Sequence, residues 1–391
     1  MSARVASVRE RWRMGSDARA MVFVTALLLT FGLAVLYSAS ALLAVREGHA
    51  SMYYLLRQAS GVAAGAVVFA IAAKVDAERW RPWAWPLMAL TIVILVIPVL
   101  PFTSAIAPRI NGSRRWITLG LTVQPSELAK LTVVVWTSMM IVKKGELMRR
   151  FTKGLLPILL VVGLLDLLVV LEPDLSQAMM FTLVMGLVLF AGGMRIGHIV
   201  LLGVLAVPLV WHEVERFQYA LLRMSSFFDP GAAPAEASYQ LKQSLIAVGS
   251  GQWLGVGYGQ GHQQIGFLPY PFNDFIGSNI GEEWGFVGLL VVVIAFAAYA
   301  YLGFRIARNA RTPFQQVTAV GLTAVTVLTA YLHIGVVVGL LPTTGLTLPF
   351  FSFGRSNLMV SLLMTGILVN IGSSRERVFG EHATDPLAVP R

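Results

Sequence analysis

The sequence predicts an all-α polytopic membrane protein of about ten transmembrane helices, with both termini cytoplasmic and a large extracytoplasmic loop between helices seven and eight. Three observations predict it. Of 391 residues, 56% are hydrophobic and only 13% charged, and the mean hydropathy is positive, which is too oily and charge-poor for a soluble chain. Apolar runs long enough for a hydrocarbon core, about 20 residues each, recur along the whole chain. Lysine and arginine fall in the short links between those runs, mostly on one side.

The runs cover approximately residues 20–43, 56–73, 83–102, 126–142, 155–171, 177–193, 196–211, 275–304, 314–341 and 356–371. An even number puts both ends on one side. With that side cytoplasmic, its segments collect 20 of the 30 basic residues and the opposite segments nine, as the positive-inside bias requires. The chain divides into a basic N-terminal segment (1–19), one membrane domain (20–374) with an outer loop at 212–273, and a C-terminal tail (375–391). No cleavable leader is expected, since the first apolar run lacks a small-residue cleavage site. The net charge of +10 follows topology and gives no nucleic-acid patch. The absence of cysteine and of an HExxH pair excludes disulfides, thiolate metal sites and zincin chemistry.

Arg109, Arg114, Arg115 and Arg355 sit on the outer side, where topology disfavours them, and are candidates for binding an anion. After the third run, Pro125 suits the first helical position. Glu127 suits the N-terminal turn, either as a cap or as part of a site. Lys130 follows three residues later on the same face, where an ammonium inside an apolar run must point into the bundle, paired with Glu127. In Leu171-Glu172-Pro173-Asp174, proline ends one helix and Asp174 can cap the next. Asp166, deep in its run, reads as a carboxyl bonded to a neighbouring helix.

The outer loop holds the densest polar and glycine content. Asp229, Pro230, Gly231 and Pro234 read as turns. A helix is expected from 239 to 248, with Leu241, Leu245 and Val248 as one stripe, Gln240, Gln243, Ser244 and Ala247 as another, and Lys242 towards lipid head groups. The glycines from 249 to 261 do not form a nucleotide-binding GxGxxG unit and serve close backbone approach instead. If the eighth helix begins near Asp274, then Asp274, Ser278, Gly281 and Glu282 share one face; Glu282 and Glu283 also fit inter-helix hydrogen bonding. The broken segment 339–357 is too apolar for a free loop and is expected to be re-entrant and buried against protein.

The strings NGSRRWI, QPSELAK, EPDL, QSLIAVGSG with DFI and GEEWG, and GLLPTTGLTLPF resemble those of the FtsW/RodA/SpoVE (SEDS) family. They occur in the same order from Tyr37 to Asn370, and the wording leans to the division branch. The resemblance implies a peptidoglycan glycosyltransferase that polymerises lipid II at the outer face of the cytoplasmic membrane. It implies a class B penicillin-binding protein as crosslinking partner, within the division or elongation machinery, and Asp274 as the essential aspartate, with Glu127, Lys130 and Asp174 in supporting positions. Four departures from the family wording are Tyr270, Phe272-Asn273, Ser176-Gln177 and Arg355. The chemistry expected is an inverting transfer in which Asp274 takes a proton from the attacking hydroxyl. Arg114, Arg115, Lys130, Lys242 and Arg355 are candidates to stabilise the leaving diphosphate, and a divalent cation (Mg or Mn) could share that work. A lipid II flippase and a non-catalytic scaffold for the penicillin-binding protein are the competing readings.

Overall fold

The computed structural model describes residues 9–109, 113–119, 121–216, 218–228 and 235–378. Ten apolar helices carry the fold: α1 (Ser16–Arg46), α2 (Tyr53–Lys74), α3 (Trp80–Val99), α4 (Pro125–Lys144), α5 (Leu156–Leu171), α6 (Leu175–Ala191), α7 (Ile196–Arg216), α10 (Ile276–Arg308), α11 (Pro313–Val337) and α12 (Arg355–Ile371). Two more, α8 (Gln218–Phe228) and α9 (Ala235–Gly251), lie in the long link after α7. Apolar backbone that lipid surrounds must satisfy every N–H and C=O internally, and helices do this segment by segment.

Burial sorts the helices. On α4, Leu131, Val134 and Trp136 are wholly enclosed, and α4 packs against α3, α6 and α11. Because protein surrounds it, α4 can carry Glu127, Lys130, Thr132, Thr137 and Ser138 in its interior. By contrast Phe23, Val67, Leu160 and Val207 of the outer helices are exposed, which in a bilayer is the lipid-facing surface.

The all-α expectation is met apart from two short antiparallel strand pairs. One, β2 (Ile117–Leu119) with β3 (Leu121–Val123), forms a hairpin before α4. The other joins β1 (Arg9–Met14) to β4 (Ser373–Val378), from Arg9 opposite Val378 to Met14 opposite Ser373. Segments separated as an N-terminal segment and a C-terminal tail are thus paired, so residues 9–14 and 373–378 lie at the same end of the bundle. The Arg305 guanidinium of α10, 3.1 Å from Asp17 of α1, lies at that end too.

Two boundaries differ from expectation. The ninth apolar run stops being helical at Val337, because Gly339 takes φ 73° and the amides of Leu340 and Leu341 turn back to the Gly335 carbonyl. The link 212–273 is not an open loop, since α7 continues to Arg216 and α8 and α9 follow; the turns expected at 229–234 lie outside the described residues. On α9 the buried side is Leu241, Ser244, Ala247 and Gly251, while Leu245 is exposed. Ser244 is drawn inward by Ser278 of α10, 2.7 Å away, and by the Val337 carbonyl at 2.9 Å, so α9 packs on protein along the face expected to be polar.

The glycines after α9 have a specific task. Helix α10 breaks at Gly285 (φ 64°, ψ −161°), a conformation open in practice only to glycine. The carbonyls of Glu282 and Glu283 then accept from Val256 N–H (2.9 Å) and Gly257 N–H (3.1 Å), and Phe286 and Val287 donate to the carbonyls of Gln252 (2.8 Å) and Trp253 (3.1 Å). The loop therefore replaces the hydrogen bonds the helix loses, as buried backbone requires.

Candidate active site

Asp274 lies on the turn just before α10. A hydrogen bond from Asn273 N–H to the Tyr270 carbonyl (3.0 Å) closes this turn. Buried aromatics anchor it on both sides: Phe272 packs on Tyr54 and Phe353, and Phe275 joins Leu268, Val336 and Val337. Asp274 is half-buried between the buried Phe272 and Phe275. Burial pushes its carboxyl up to about 6, Arg223 pulls it back, nearby Asp174 raises it and Arg115 lowers it. Because the helix starts at Ile276, Asp274 precedes it and does not share a helical face with Ser278 and Glu282, as the sequence suggested.

The segment between α11 and α12 runs past this carboxylate. Gly345 (φ 76°) faces it so closely that a Cβ there would lie 3.6 Å from Asp274 Oδ2 and 3.9 Å from the Arg223 guanidinium. Much of the segment is buried, although Leu340 and Gly345 are exposed, and several hydrogen bonds tie it to its neighbours. Ser176 donates to the Thr344 carbonyl (2.5 Å), Ser352 to the Asn273 carbonyl (2.8 Å), and Gln58 to the Ser352 carbonyl (3.1 Å). These ties fix the Asp274 turn and the Gly345 segment against each other.

A second group leads away from Asp274 through the bundle. Asp174 caps α6 by accepting from Gln177 N–H (3.4 Å) and lies 3.6 Å from the Arg115 guanidinium. Arg115 also donates to the carbonyls of Glu172 (3.2 Å) and Pro173, clamping the α5–α6 turn. The Gln177 side chain reaches Glu127 (3.4 Å), whose other oxygen lies 2.7 Å from Lys130. Burial raises Asp174, Arg115 and the Gln177 amide lower it, and Glu127 and Lys130 act in opposite senses. Next to it, Glu172 is buried with neither carboxyl oxygen hydrogen-bonded, and burial with Asp174 nearby pushes it up to about 9 against the pull of Arg115.

The structure thus brings together Asp274, Asp174, Arg115, Glu127 and Lys130. The other sequence candidates stand elsewhere. Arg114 donates to the carbonyls of Leu100 and Pro101. Lys242 lies on the exposed side of α9. Ser278 is consumed by Ser244, and Glu282 accepts from the amides of His262 (2.7 Å) and Gln263 (3.2 Å), holding the glycine-rich loop. The stem of Arg355 packs on α2 where Gly61 leaves room. Asp166 accepts from Thr182 of α6 (2.9 Å), the neighbouring-helix bond expected of it.

Sequence reasoning missed Arg223, Gln177 and Gly345. Arg223 was visible as an outer-side cation, but nothing local distinguished it from ordinary loop charge. Among the described residues no three His, Asp or Glu side chains are grouped so that they could hold a metal ion. Chemically, the arrangement offers a carboxylate that ionises near neutrality beside guanidinium groups, which suits proton removal and stabilisation of an anion.

The model of the FtsW, RodA and SpoVE family, described as "Cell cycle protein", matches residues 18–377. The chain belongs to the FtsW/RodA/SpoVE family. A probable peptidoglycan glycosyltransferase FtsW of Trichlorobacter lovleyi is 34% identical over 94% of this chain and 96% of that protein. Stage V sporulation protein E of Bacillus subtilis is 34% identical over 90% of this chain and 95% of its own length. Among solved structures, a chain of a peptidoglycan synthase complex superposes with a TM-score of 0.72 at 24% identity, covering 90% of this chain and 96% of the other. The Thermus thermophilus rod-shape-determining protein RodA superposes with a TM-score of 0.66 at 24% identity, covering 90% of this chain and 95% of its own. This member of the family thus shares the RodA fold, and the bundle described above is that of a multi-pass membrane protein.

Proposed function

We propose that this chain is a peptidoglycan glycosyltransferase that polymerises lipid II at the outer face of the cytoplasmic membrane, with Asp274 as general base. The observation that carries the reading is the Asp274 carboxylate set beside Arg223 across from Gly345, with burial raising it and Arg223 and Arg115 lowering it. In the reaction, the 4-hydroxyl of one chain attacks the anomeric carbon of another. The new glycosidic bond forms with inversion, the bond to undecaprenyl diphosphate breaks, and Asp274 takes the hydroxyl proton. A base near its working pH contributes about 10²–10⁴ in rate. Arg223, Arg115 and Lys130 supply positive charge for the diphosphate as its negative charge grows. If a divalent cation assists, Asp174 and Asp274 are the carboxylates to hold it beside the diphosphate oxygens, where it would neutralise the same charge.

The excess of basic residues at the end of the bundle where β1 and β4 pair supports placing Asp274 on the outer side. A class B penicillin-binding protein is the proposed partner. The matched synthase complex, whose subject is coordinated polymerization and crosslinking, supports this, and the relatives named FtsW support a role in division. The test is polymerisation of labelled lipid II by the purified chain with that partner. Wild type should make product and Asp274→Asn none, both being folded and partner-bound; equal product from the two would refute the base assignment, and transport of lipid II would then be measured in liposomes.

A further inference from the structure

We propose that His333, a buried residue of α11, is a positioning residue that, with the ties above, sets Asp274 against the Gly345 segment. Its side chain is 1% exposed and is bonded at both ring nitrogens. The Gly277 N–H reaches Nε2 at 3.2 Å, and Nδ1 lies 2.8 Å from the Leu346 carbonyl. An amide can only donate, so Nε2 carries the lone pair, and a carbonyl can only accept, so Nδ1 carries the proton. The ring is therefore neutral, in one tautomer and one orientation.

Its two partners give it this role. Gly277 is three residues after Asp274, in the first turn of α10, where no side chain of the local sequence caps the helix. Leu346 follows Gly345, whose Cα side faces the Asp274 carboxylate. One rigid ring thus fixes the spacing between the backbone that carries the carboxylate and the backbone opposite it. Gly277 makes this possible: a Cβ there would meet Nε2 at 3.2 Å and Val337 at 3.1 Å. Without the ring, the Gly277 amide and the Leu346 carbonyl are both left unpaired in the interior, and the turn holding Asp274 shifts to recover partners.

The inference rests on Asp274 being the base, and the experiment separates the two. Lipid II polymerisation would be measured for the full-length chain with its penicillin-binding protein, alongside thermal unfolding. His333→Leu should lower kcat by about 10²-fold, the usual cost of a misplacement near 1 Å, with KM changed less than about twofold. His333→Asn, an amide with one donor and one acceptor, should recover most of the loss. Gly277→Ala, which keeps the histidine but displaces it, should lower kcat in the same way and decides the matter if His333→Leu does not fold. Wild-type kcat in folded His333→Leu or in Gly277→Ala, or a folded His333→Asn as slow as His333→Leu, overturns the proposal. Asp274→Asn is assayed in parallel: full activity there refutes the base itself, whereas its inactivity beside a fully active His333→Leu removes only the positioning role.

Discussion

Lys130 Nζ lies 2.7 Å from Glu127 Oε2, one turn apart on α4, with 3% of either side chain exposed. A pair so enclosed cannot lose one member cheaply, because the other stays buried and charged. Lys130→Met or Glu127→Leu alone should destabilise the protein by about 3–5 kcal/mol. The double variant should be less destabilised than the two singles summed, since no lone charge remains. Thermal unfolding in detergent over the four-member cycle measures the coupling.

Asp274 should give polymerisation an acid limb near its pKa of about 6, because only the ionised carboxylate accepts a proton. Activity is retained above that pH and falls below it. Arg223 holds the carboxyl down, so Arg223→Gln should move the limb to higher pH and lower kcat; a pH–rate profile that does not move would refute this pairing.

The same burial makes ionised Asp274 costly to the fold. A carboxyl raised in the folded state contributes stability that is fully present below its unfolded pKa and is lost as pH rises through the folded value. Asp274→Asn should therefore unfold at a higher temperature than wild type by a margin that grows from about pH 4 to about pH 6 and then stays constant. Inactivity with raised stability would mark a residue kept for chemistry.

Glu172 should behave alike with a different end point. Pushed up to about 9, it is neutral at pH 7, and Glu172→Gln copies the neutral acid. The stability margin of that variant should keep growing until about pH 9, three units beyond the plateau of Asp274→Asn, in the same thermal scans.

Gly285 and Gly255 meet where the loop mends α10. Gly285→Ala forces a side chain into φ 64°, and a Cβ on Gly255 would lie 2.1 Å from the Glu283 carbonyl oxygen. Strain of this kind costs about 1–3 kcal/mol per residue, so each variant should unfold at a lower temperature. Each should also be cleaved faster by protease within 252–265 than wild type.

Much of this was legible in the sequence wherever the cause is local. Among the described residues the apolar helices stand within a few residues of the runs that announced them, eight of them long and apolar enough to cross a membrane and two shorter, because length and hydropathy decide what a bilayer accepts. Glu127 and Lys130 sit three residues apart, so one helix turn joins them, and Asp174 caps α6 because it follows the proline that ends α5. The errors also have local causes. Helical spacing drew Asp274, Ser278 and Glu282 onto one face, yet the helix begins after Asp274. Periodicity gave two stripes on α9 without saying which packs inward; Leu241 and Val248 of the apolar stripe do, and Ser244 of the polar one joins them through the hydroxyl of Ser278 on another helix.

By itself, then, the sequence determined the membrane class and the order of the apolar helices along the chain, since burial in lipid and helical spacing act on neighbours in sequence. Only the tertiary structure decided which groups surround Asp274. Arg223 comes from α8, Gly345 from the re-entrant segment, Arg115 and Asp174 from two separate links, and His333 from α11. These segments lie far apart in the chain and converge because α4 and α11 pack at the centre and bring the ends of the other helices together, an outcome of side-chain packing that no local pattern encodes.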